Sequence, residues 1–264
     1  MRVIILAGGR GTRLQEETAV KPKPMLEVGG RPLLWHVMDI FSSHGLREFV
    51  VALGYKGDLI REYFSSYYYR RNDFTVRLGT PDISVVPPLD EPWIVHLVET
   101  GMDTATGGRV KRAARHAAHE RFLLTYGDGV ANVDITALLE LHRRHGKLAT
   151  VTAVQPPPRF GRLALDGDRV VSFREKSRAD EGWINGGFFV LEPEVLDYID
   201  GDDTIFEREP LERLAACGQL VAYRHVGFWQ CMDTLQDLRK LEALADTGEP
   251  PWKVSLQPCP EVMP

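Results

Sequence analysis

Cysteine is scarce in this sequence, and a long apolar run is missing. The three cysteines, Cys217, Cys231 and Cys259, are odd in number and far apart, so neither a disulfide framework nor a zinc site is expected. No apolar run approaches the roughly 18 residues of a membrane-spanning helix, and the N-terminal apolar stretch is too short for a signal peptide. These absences predict a cytoplasmic protein that has no membrane partner.

An excess of basic residues is also missing. The formal net charge is −5, from 32 Lys and Arg against 37 Asp and Glu. Nucleic-acid-binding proteins generally carry a basic excess, so no nucleic-acid partner is expected, although a local basic pocket for a small anion remains compatible. The run Tyr67–Arg71 could stack on nucleic acid, but the acidic charge favours a buried face or a subunit contact.

Apolar runs and helix-like segments alternate along the chain. Buried strands are predicted over 2–6, 48–53, 121–126 and 149–154. Helices are predicted over 32–44, 58–71, 134–145 and 234–245, with Asp134 as the cap of the third. This alternation indicates an α/β fold with a mostly parallel, Rossmann-like sheet and helices on both faces.

Shorter segments interrupt this pattern. Strand-like runs broken by prolines lie at 74–78, 83–86 and 93–98, and runs typical of small antiparallel insertions lie at 163–165, 170–173 and 188–191. From Glu249 onward the chain is proline-rich and aperiodic, which predicts an extended or poorly ordered tail. No linker divides the chain, so a single domain is predicted over 1–253, with an irregular tail over 254–264.

A glycine cluster, in LAGGRGTRL, follows the first predicted strand. It does not fit the dinucleotide-binding fingerprint, because Leu14 stands where the third glycine would be. It does not fit the P-loop either, because Arg13 stands five residues after Gly8, where that motif needs glycine. A dinucleotide oxidoreductase and a Walker-type NTPase are therefore both disfavoured.

The same cluster suits the binding of phosphate groups. Backbone N–H groups without side chains in the way can close on phosphate oxygens. Arg13 can grip two oxygens at once, and Lys23 adds a point charge. The alternative interpretation is a tight strand-to-helix turn with solvated basic residues.

Several ordered motifs carry a family resemblance. LAGGRGTRL and KPKPML are followed by TGGRVKR, TYGDGV, FREKS, INGGFFVL and GFWQCMDTL. Over residues 1–253 this series resembles the sugar-1-phosphate nucleotidyltransferases, and EETAVKPKPM, TGGRVKR and PWK resemble the cytidine branch of that family. The resemblance implies an enzyme that makes CDP-glucose and pyrophosphate from CTP and glucose 1-phosphate with Mg²⁺. It also implies a homo-oligomer, with a hexamer as the first expectation, and a role in making deoxysugars for bacterial surface polysaccharides.

The resemblance also implies roles for individual residues. The implied catalytic residues are Arg13, Lys23 and Asp128, and the implied Mg²⁺ ligands are Asp128 and Asp233. The implied contacts to the sugar phosphate are Glu175, Lys176, Asn185 and Gly186, with Lys176 on its phosphate. The implied nucleotide-binding residues are Leu6, Ala7, Gly8, Gly9, Gly11, Thr12, Arg13, Lys23, Thr104, Thr106, Gly107 and Arg109.

These residue types suit a displacement at phosphorus. The second pKa of a phosphate monoester is about 6, so the attacking oxygen is already ionised at neutral pH and needs no general base. What remains is to hold two anions in line and to neutralise charge, and two carboxylates with phosphate oxygens suit Mg²⁺. No nucleophilic serine or cysteine is expected. The ordinary interpretations are a Gly-Asp-Gly turn for Asp128 and a helix cap for Asp233.

Other interpretations stay open or are disfavoured. The same fold could use dTTP, UTP or another sugar 1-phosphate, and the prolines at 156–158 could change the sugar preference. A non-catalytic nucleotide-sugar sensor is disfavoured because both aspartates and the basic residues are present. The pairs His116 and His119, and His142 and His145, do not form HExxH, so no metal site is expected there.

Overall fold

The computed structural model describes most of the chain. The described residues are 1–11, 18, 20–80, 83–85, 91–117, 120–156, 162–166, 168–174 and 182–253. The irregular tail predicted over 254–264 lies outside them. Within this described part, no helix has the length and hydropathy that crossing a bilayer requires.

A mixed sheet forms the centre of the described structure. Its strands, in spatial order, are β14 (Leu220–His225), β10 (Ala149–Val154), β13 (Ile184–Leu191), β8 (Phe122–Tyr126), β1 (Val3–Leu6), β4 (Glu48–Leu53) and β7 (Ile94–Glu99). Among these strands β13 alone runs antiparallel to its neighbours β8 and β10. The predicted mostly parallel α/β sheet is therefore confirmed.

Helices cover both faces of this sheet. Their bounds are α1 (Leu33–Ser43), α2 (Gly57–Ser65), α3 (Tyr67–Arg71), α4 (Thr106–Ala114), α5 (Ile135–His145), α6 (Glu209–Ala216) and α7 (Leu235–Ala245), with short 3-10 turns at Lys23–Met25 and Pro193–Tyr198. Strand side chains alternate between the two faces, so Val3 and Ile5 join the core under α1, α5 and α7, whereas Ile4 and Leu6 join the core under α4 and α6.

The helix signals in the sequence hold with one correction. The carboxylate of Asp134 accepts a hydrogen bond from the Ala137 amide at 2.9 Å and caps α5, as predicted. The helix predicted over 58–71 is instead two helices, α2 and α3, which are separated at Ser66. The Ser66 hydroxyl donates to the Glu62 carbonyl at 2.5 Å, and such back-bonding competes with the regular helix ladder.

Small two-stranded antiparallel sheets accompany the central sheet. They are β2 (Glu27–Val28) with β3 (Arg31–Pro32), β5 (Phe74–Val76) with β6 (Ile83–Val85), β9 (Gly129–Ala131) with β15 (Trp229–Cys231), and β11 (Arg162–Asp166) with β12 (Arg169–Arg174). The strand-like run predicted at 93–98 is β7, which pairs in parallel with β4 at the edge of the main sheet. The run at 188–191 is antiparallel, as predicted, but it belongs to the long strand β13 of the main sheet and not to a small insertion.

The segment just after Glu249 is also better packed than its composition predicts. Trp252 is only 2% exposed, and its indole N–H donates to Nδ1 of His36 at 3.3 Å. Its ring also lies 5.8 Å from that of Phe228, centre to centre. The start of the tail, up to residue 253, is thus packed against the domain, because one large aromatic side chain anchors an aperiodic segment.

Candidate active site

Two cavities meet at the carboxyl edge of the sheet, where ligands of open α/β sheets bind. The larger cavity, of about 450 Å³, includes the loop after β1 and the segment 102–106 in its wall. The smaller cavity, of about 240 Å³, lies between the end of β8, the start of β13 and strand β15. Tyr126 and Asp128 line both cavities. Two ligands could therefore lie side by side with Asp128 between them.

The pairing of β9 with β15 brings the two predicted metal ligands together. Asp128 directly precedes β9, and Asp233 follows β15 by two residues. Cys231 pairs with Gly129 across these strands, and the Met232 amide donates to the Asp128 carbonyl at 2.8 Å. The local strand pairing therefore places both carboxylates at one point of the site.

Lys23 joins the two carboxylates. Its ammonium donates to Oδ2 of Asp128 and to Oδ1 of Asp233, each at 2.7 Å. Burial disfavours the charged form of Lys23, but the charges and hydrogen bonds of both aspartates outweigh it, so the pKa of Lys23 lies above its ordinary value. The ammonium shows that oxygens of both aspartates can be bound by one cation.

This geometry fits a magnesium ion that is bound partly by the protein and partly by phosphate oxygens of a bound substrate. In the part of the chain that the structure describes, no group of three or more His, Cys, Asp or Glu side chains is arranged to hold a metal. A pair of carboxylates leaves the other positions to phosphate oxygens and water. That arrangement is typical of Mg²⁺ and not of a closed protein cage.

The N-cap of α7 is Thr234 and not Asp233. The Thr234 hydroxyl accepts from the Asp237 amide at 3.2 Å, while Asp237 accepts from the Thr234 amide at 2.9 Å. This capping box shows that the ordinary interpretation of Asp233, as the helix cap, is wrong. Asp128 does lie in a turn, and the same turn faces both cavities.

The glycines after β1 meet different neighbours. A Cβ added at Gly8 would lie 2.2 Å from Nη1 of Arg109, whereas one added at Gly9 would meet nothing within 4 Å. Gly11 has a φ of +61°, and its Cβ would lie 2.9 Å from Cγ2 of Thr18. Only Gly9 therefore leaves the open space that the phosphate-binding interpretation gave to the whole cluster.

Arg109 lines the larger cavity but binds the protein itself. Only 5% exposed, it donates through Nη1 to the Leu53 carbonyl at 3.0 Å and to the Thr100 hydroxyl at 2.8 Å. Its Nη2 donates to the Met102 carbonyl at 3.2 Å. Burial lowers its pKa from the ordinary value. The family resemblance places Arg109 among the nucleotide-binding residues, and in the structure it ties the segment after β7 to the end of β4.

The segment before α4 reaches the cavity less fully than expected. Thr104 and Thr106 line the larger cavity, as do Leu6, Ala7 and Lys23, but Gly107 is not among its lining residues. A Cβ on Gly107 would lie 2.7 Å from the Thr204 carbonyl, so this glycine is required by close packing against the segment 202–204.

The smaller cavity contains the predicted sugar-contacting residues of β13. Asn185 and Gly186 line it together with Trp229, whose indole N–H donates to the Gly186 carbonyl at 2.8 Å. The pairing of β13 with β10 shifts register here, and Phe188 adopts a positive φ of 47°. Such a bulge bends a strand and re-aims its side chains. This bulge, with Gly186 and Gly187, is part of the cavity wall.

Several lining residues had no predicted role. Tyr126 directly precedes the Gly-Asp-Gly turn, a position that could have marked it, and its hydroxyl donates to Glu207 at 2.6 Å. Cys231 also lines the smaller cavity, where burial, with the charges of Asp233 and Asp128, raises its pKa to about 12. Its thiol stays protonated at neutral pH, which fits the expectation that no cysteine nucleophile is used.

Four predicted site residues fall outside the described residues. They are Thr12, Arg13, Glu175 and Lys176. His119 also lies outside them, and the other histidine pair is engaged in structural bonds: His142 and His145 both contact the Thr150 hydroxyl at 2.7 Å.

Comparison with known proteins identifies the class to which this site belongs. Residues 2–247 match the family model described as Nucleotidyl transferase, and the chain belongs to that family. Within it, the chain is similar to the glucose-1-phosphate cytidylyltransferases of Salmonella typhi and Salmonella typhimurium. Each is 52% identical over 254 residues, which cover 96% of this chain and 99% of the relative.

Solved structures share the fold at much lower identity. The chain superimposes on the inositol-1-phosphate CTP transferase from T. maritima with a TM-score of 0.63. The identity is 17%, with 92% of this chain and 94% of that chain covered. The expected nucleotidyltransferase-like fold is thereby confirmed.

Proposed function

We propose that this protein is a glucose-1-phosphate cytidylyltransferase, which makes CDP-glucose and pyrophosphate from CTP and α-D-glucose 1-phosphate. The observation that carries the proposal is the 52% identity to the Salmonella relatives of that name over 96% of the chain. The two cavities that meet at Asp128 support it, because the reaction needs two anions side by side.

The reaction is a direct displacement. An ionised phosphate oxygen of glucose 1-phosphate attacks the α-phosphorus of CTP and forms a new P–O bond. The bond between the α-phosphorus and the bridging oxygen breaks, and that oxygen leaves with its electron pair as part of pyrophosphate. No proton has to be removed from the nucleophile, so the chain needs no general base.

The larger cavity is proposed to bind CTP. The open backbone at Gly9 faces the triphosphate, and the segment with Thr104 and Thr106 lies on the base side. Leu6, Ala7, Gly8 and Gly11 complete the proposed nucleotide site, and we assign Thr12 and Arg13 to it on the family resemblance. Arg109 supports this site by holding the segment after β7.

Asp128 and Asp233 are proposed to hold the metal. Bound there, Mg²⁺ supplies positive charge to phosphate oxygens and lowers the energy of the transition state. Lys23 keeps the two carboxylates together, and its ammonium can pair with phosphate oxygens once the carboxylates bind another cation.

The smaller cavity is proposed to bind the glucosyl phosphate. Asn185 and Gly186 contact the sugar there, and Trp229 fixes Gly186 in place. The roles of Glu175 and Lys176, with Lys176 on the attacking phosphate, rest on the family resemblance.

An assay of pyrophosphate release tests this function. The full-length protein is supplied with Mg²⁺ and glucose 1-phosphate, and CTP, UTP, dTTP, ATP and GTP are offered separately, with reactions lacking the sugar phosphate as controls. Release with CTP alone, together with CDP-glucose in the mass spectrum, is the expected result. Release with another nucleotide contradicts the assignment of the base, and release with none contradicts the substrate pair.

Association and cellular role are parts of the same proposal. We propose a homo-oligomer, with a hexamer as the first candidate. Support comes from apolar side chains that are about half exposed: Ile94 on the edge strand β7, Tyr68 and Tyr69 on α3, and Phe74 and Val76 on β5. CTP is a cytoplasmic metabolite, so the reaction belongs in the cytoplasm, and its activated sugar is suited to supplying deoxysugars for surface polysaccharides.

A further inference from the structure

A chain of side-chain hydrogen bonds links the two cavities through Glu207, which lines neither of them. On the larger cavity's side, the Thr106 hydroxyl donates to Oε2 of Glu207 at 2.5 Å. On the other side, the Tyr126 hydroxyl donates to Oε1 at 2.6 Å. Tyr126 in turn accepts from the side-chain amide of Asn185 at 3.3 Å.

The donor and the acceptor of every hydrogen bond in this series are fixed. An ionised carboxylate accepts hydrogen bonds and donates none, so both hydroxyl protons point to Glu207. The Tyr126 oxygen therefore has a lone pair for the amino group of Asn185. The carbonyl of that amide accepts from the Gly187 amide at 2.9 Å, which agrees with the same orientation.

Glu207 is itself attached to the larger cavity's wall. The carbonyls of Asp202 and Thr204 accept from the amides of Ala105 and Gly107, each at 2.8 Å. The Phe206 amide donates to the Thr106 hydroxyl at 2.9 Å. Glu207 thus moves with the segment that begins α4.

We propose that Glu207 is a positioning residue that couples the nucleotide subsite to the sugar subsite. It orients Thr106 directly and orients Asn185 through Tyr126. This inference rests on the proposed function, because it takes the two cavities as the sites of CTP and glucose 1-phosphate. It predicts that disturbing Glu207 weakens the binding of both substrates, whereas disturbing one branch mainly weakens the binding of one substrate.

The test is steady-state kinetics on the full-length protein with both substrates varied. Thr106→Val and Tyr126→Phe each delete one hydroxyl, and Glu207→Gln replaces an acceptor-only group by one that also donates. The control is Glu209→Gln, the same change at an exposed glutamate in the first turn of α6. Thermal unfolding of each variant is measured alongside.

Glu207→Gln is expected to raise the KM for both substrates by about tenfold, the effect of losing a hydrogen bond to a charged group. Tyr126→Phe should raise the KM for glucose 1-phosphate more than that for CTP, because Tyr126 orients Asn185 but lines both cavities, and Thr106→Val should raise the KM for CTP alone. Combining Glu207→Gln with Tyr126→Phe should add little on the sugar side, because both changes break the same path. Glu209→Gln should match the wild type.

Two results would overturn the inference. One is a Glu207→Gln variant with wild-type KM values for both substrates. The other is a lower unfolding temperature and kcat with both KM values unchanged, which is the signature of a merely structural role. If Glu207→Gln does not fold, the two hydroxyl deletions still decide, because equal effects of each on both substrates contradict the separate branches. Wild-type protein that releases no pyrophosphate contradicts the proposed function, whereas an active wild type beside an unaffected Glu207→Gln variant contradicts only the coupling.

Discussion

Lys23 lies between two carboxylates that would otherwise face each other across the site. Its bonds of 2.7 Å to Asp128 and Asp233 balance part of their negative charge when no other cation is present. The two aspartates are therefore held close together, in the place that we propose for a metal, without a large cost in stability. A substitution at Asp128 can therefore separate an effect on activity from an effect on stability.

Asp128→Asn should remove most turnover and leave the fold intact. The change deletes a proposed metal ligand but almost no volume, so we expect pyrophosphate release to fall by about 100-fold or more and the unfolding temperature to stay close to that of the wild type. The control is Asp197→Asn at an exposed position of the turn Pro193–Tyr198. Near-normal turnover of the Asp128 variant would rule out the metal assignment.

Gly8 and Gly9 offer a matched pair for separating stability from binding. Gly8→Ala places a Cβ 2.2 Å from the Arg109 guanidinium and should cost about 1–3 kcal/mol of unfolding free energy. Gly9→Ala meets open space and should change stability by less than about 0.5 kcal/mol.

Gly9→Ala should affect the binding of CTP much more than it affects stability. The new methyl group occupies the space proposed for phosphate, so the KM for CTP should rise by about tenfold or more. Urea unfolding and steady-state kinetics measure the two effects. A Gly9→Ala variant with wild-type affinity for CTP would show that the phosphates bind elsewhere.

The residues that sequence reasoning could assign are those beside a local pattern. Asp128 ends an apolar strand, and Lys23 and the glycines belong to compact motifs. Glu207 has no such signal, because it lies in an aperiodic loop 101 residues from Thr106 and 81 residues from Tyr126. Arg109 lines the larger cavity, but its three partners, on the end of β4 and the segment after β7, could be known only from the folded chain.

At the scale of elements, the local anchor at Trp252 has a large effect. The indole packs against His36 and Phe228 in the core under α1 and α7. Trp252→Ala should therefore lower the unfolding free energy by about 3–5 kcal/mol. Trp183→Ala is the control, because Trp183 is 42% exposed. Among the described residues, its ring has one aromatic or cation–π contact, with the guanidinium of Arg224. Equal unfolding midpoints in urea for the two variants would contradict the anchoring role.

Element prediction succeeded where burial follows a regular period. The strands β1, β4, β8 and β10 are continuous apolar or β-branched runs, and such runs are typical of central strands covered on both faces. Strand β13 was predicted too short, because Asn185, Gly186 and Gly187 interrupt its apolar pattern at the bulge. The edge strand β7 was predicted as a strand-like run, but its place in the main sheet was not, because its pairing partner β4 is its neighbour in space and not in sequence.

At the scale of the whole molecule, buried histidines make stability depend on pH. Burial lowers the pKa values of His36, His142 and His225 from the ordinary 6.5. They stay neutral in the folded state, while the unfolded chain takes up protons as the pH falls through about 6.5. The stability they contribute is therefore present above that pH and is lost as the pH falls below it.

Urea unfolding at about pH 7.5 and about pH 5.5 measures this loss. We expect the unfolding free energy to be lower at the acidic pH, and His142→Gln should reduce the difference because one of the neutral histidines is gone. His116→Gln, at an exposed histidine, should leave the difference unchanged. A free energy that does not vary between the two pH values would contradict this account.

The exposed edge of the sheet should govern association. Ile94 on β7 is 58% exposed, and Ile94→Lys places a charge where we propose that another copy packs. Sedimentation velocity should show smaller particles for this variant than for the wild type. Val226→Lys, at a residue 78% exposed beyond the opposite edge strand, should not change the particle size. A wild-type protein that sediments as a monomer would contradict the proposed oligomer.

The bridge between Lys23 and the two aspartates also sets when the site can form during synthesis. Lys23 meets Asp128 across 105 residues of sequence and Asp233 across 210. Strand β9, which follows Asp128, pairs with β15, which is made near the end of the chain. Contacts between residues so far apart in the sequence form late, and they slow the folding of the chain. A ribosome-bound chain therefore has no complete site until the residues around Asp233 have emerged, which keeps partly made copies from binding CTP productively.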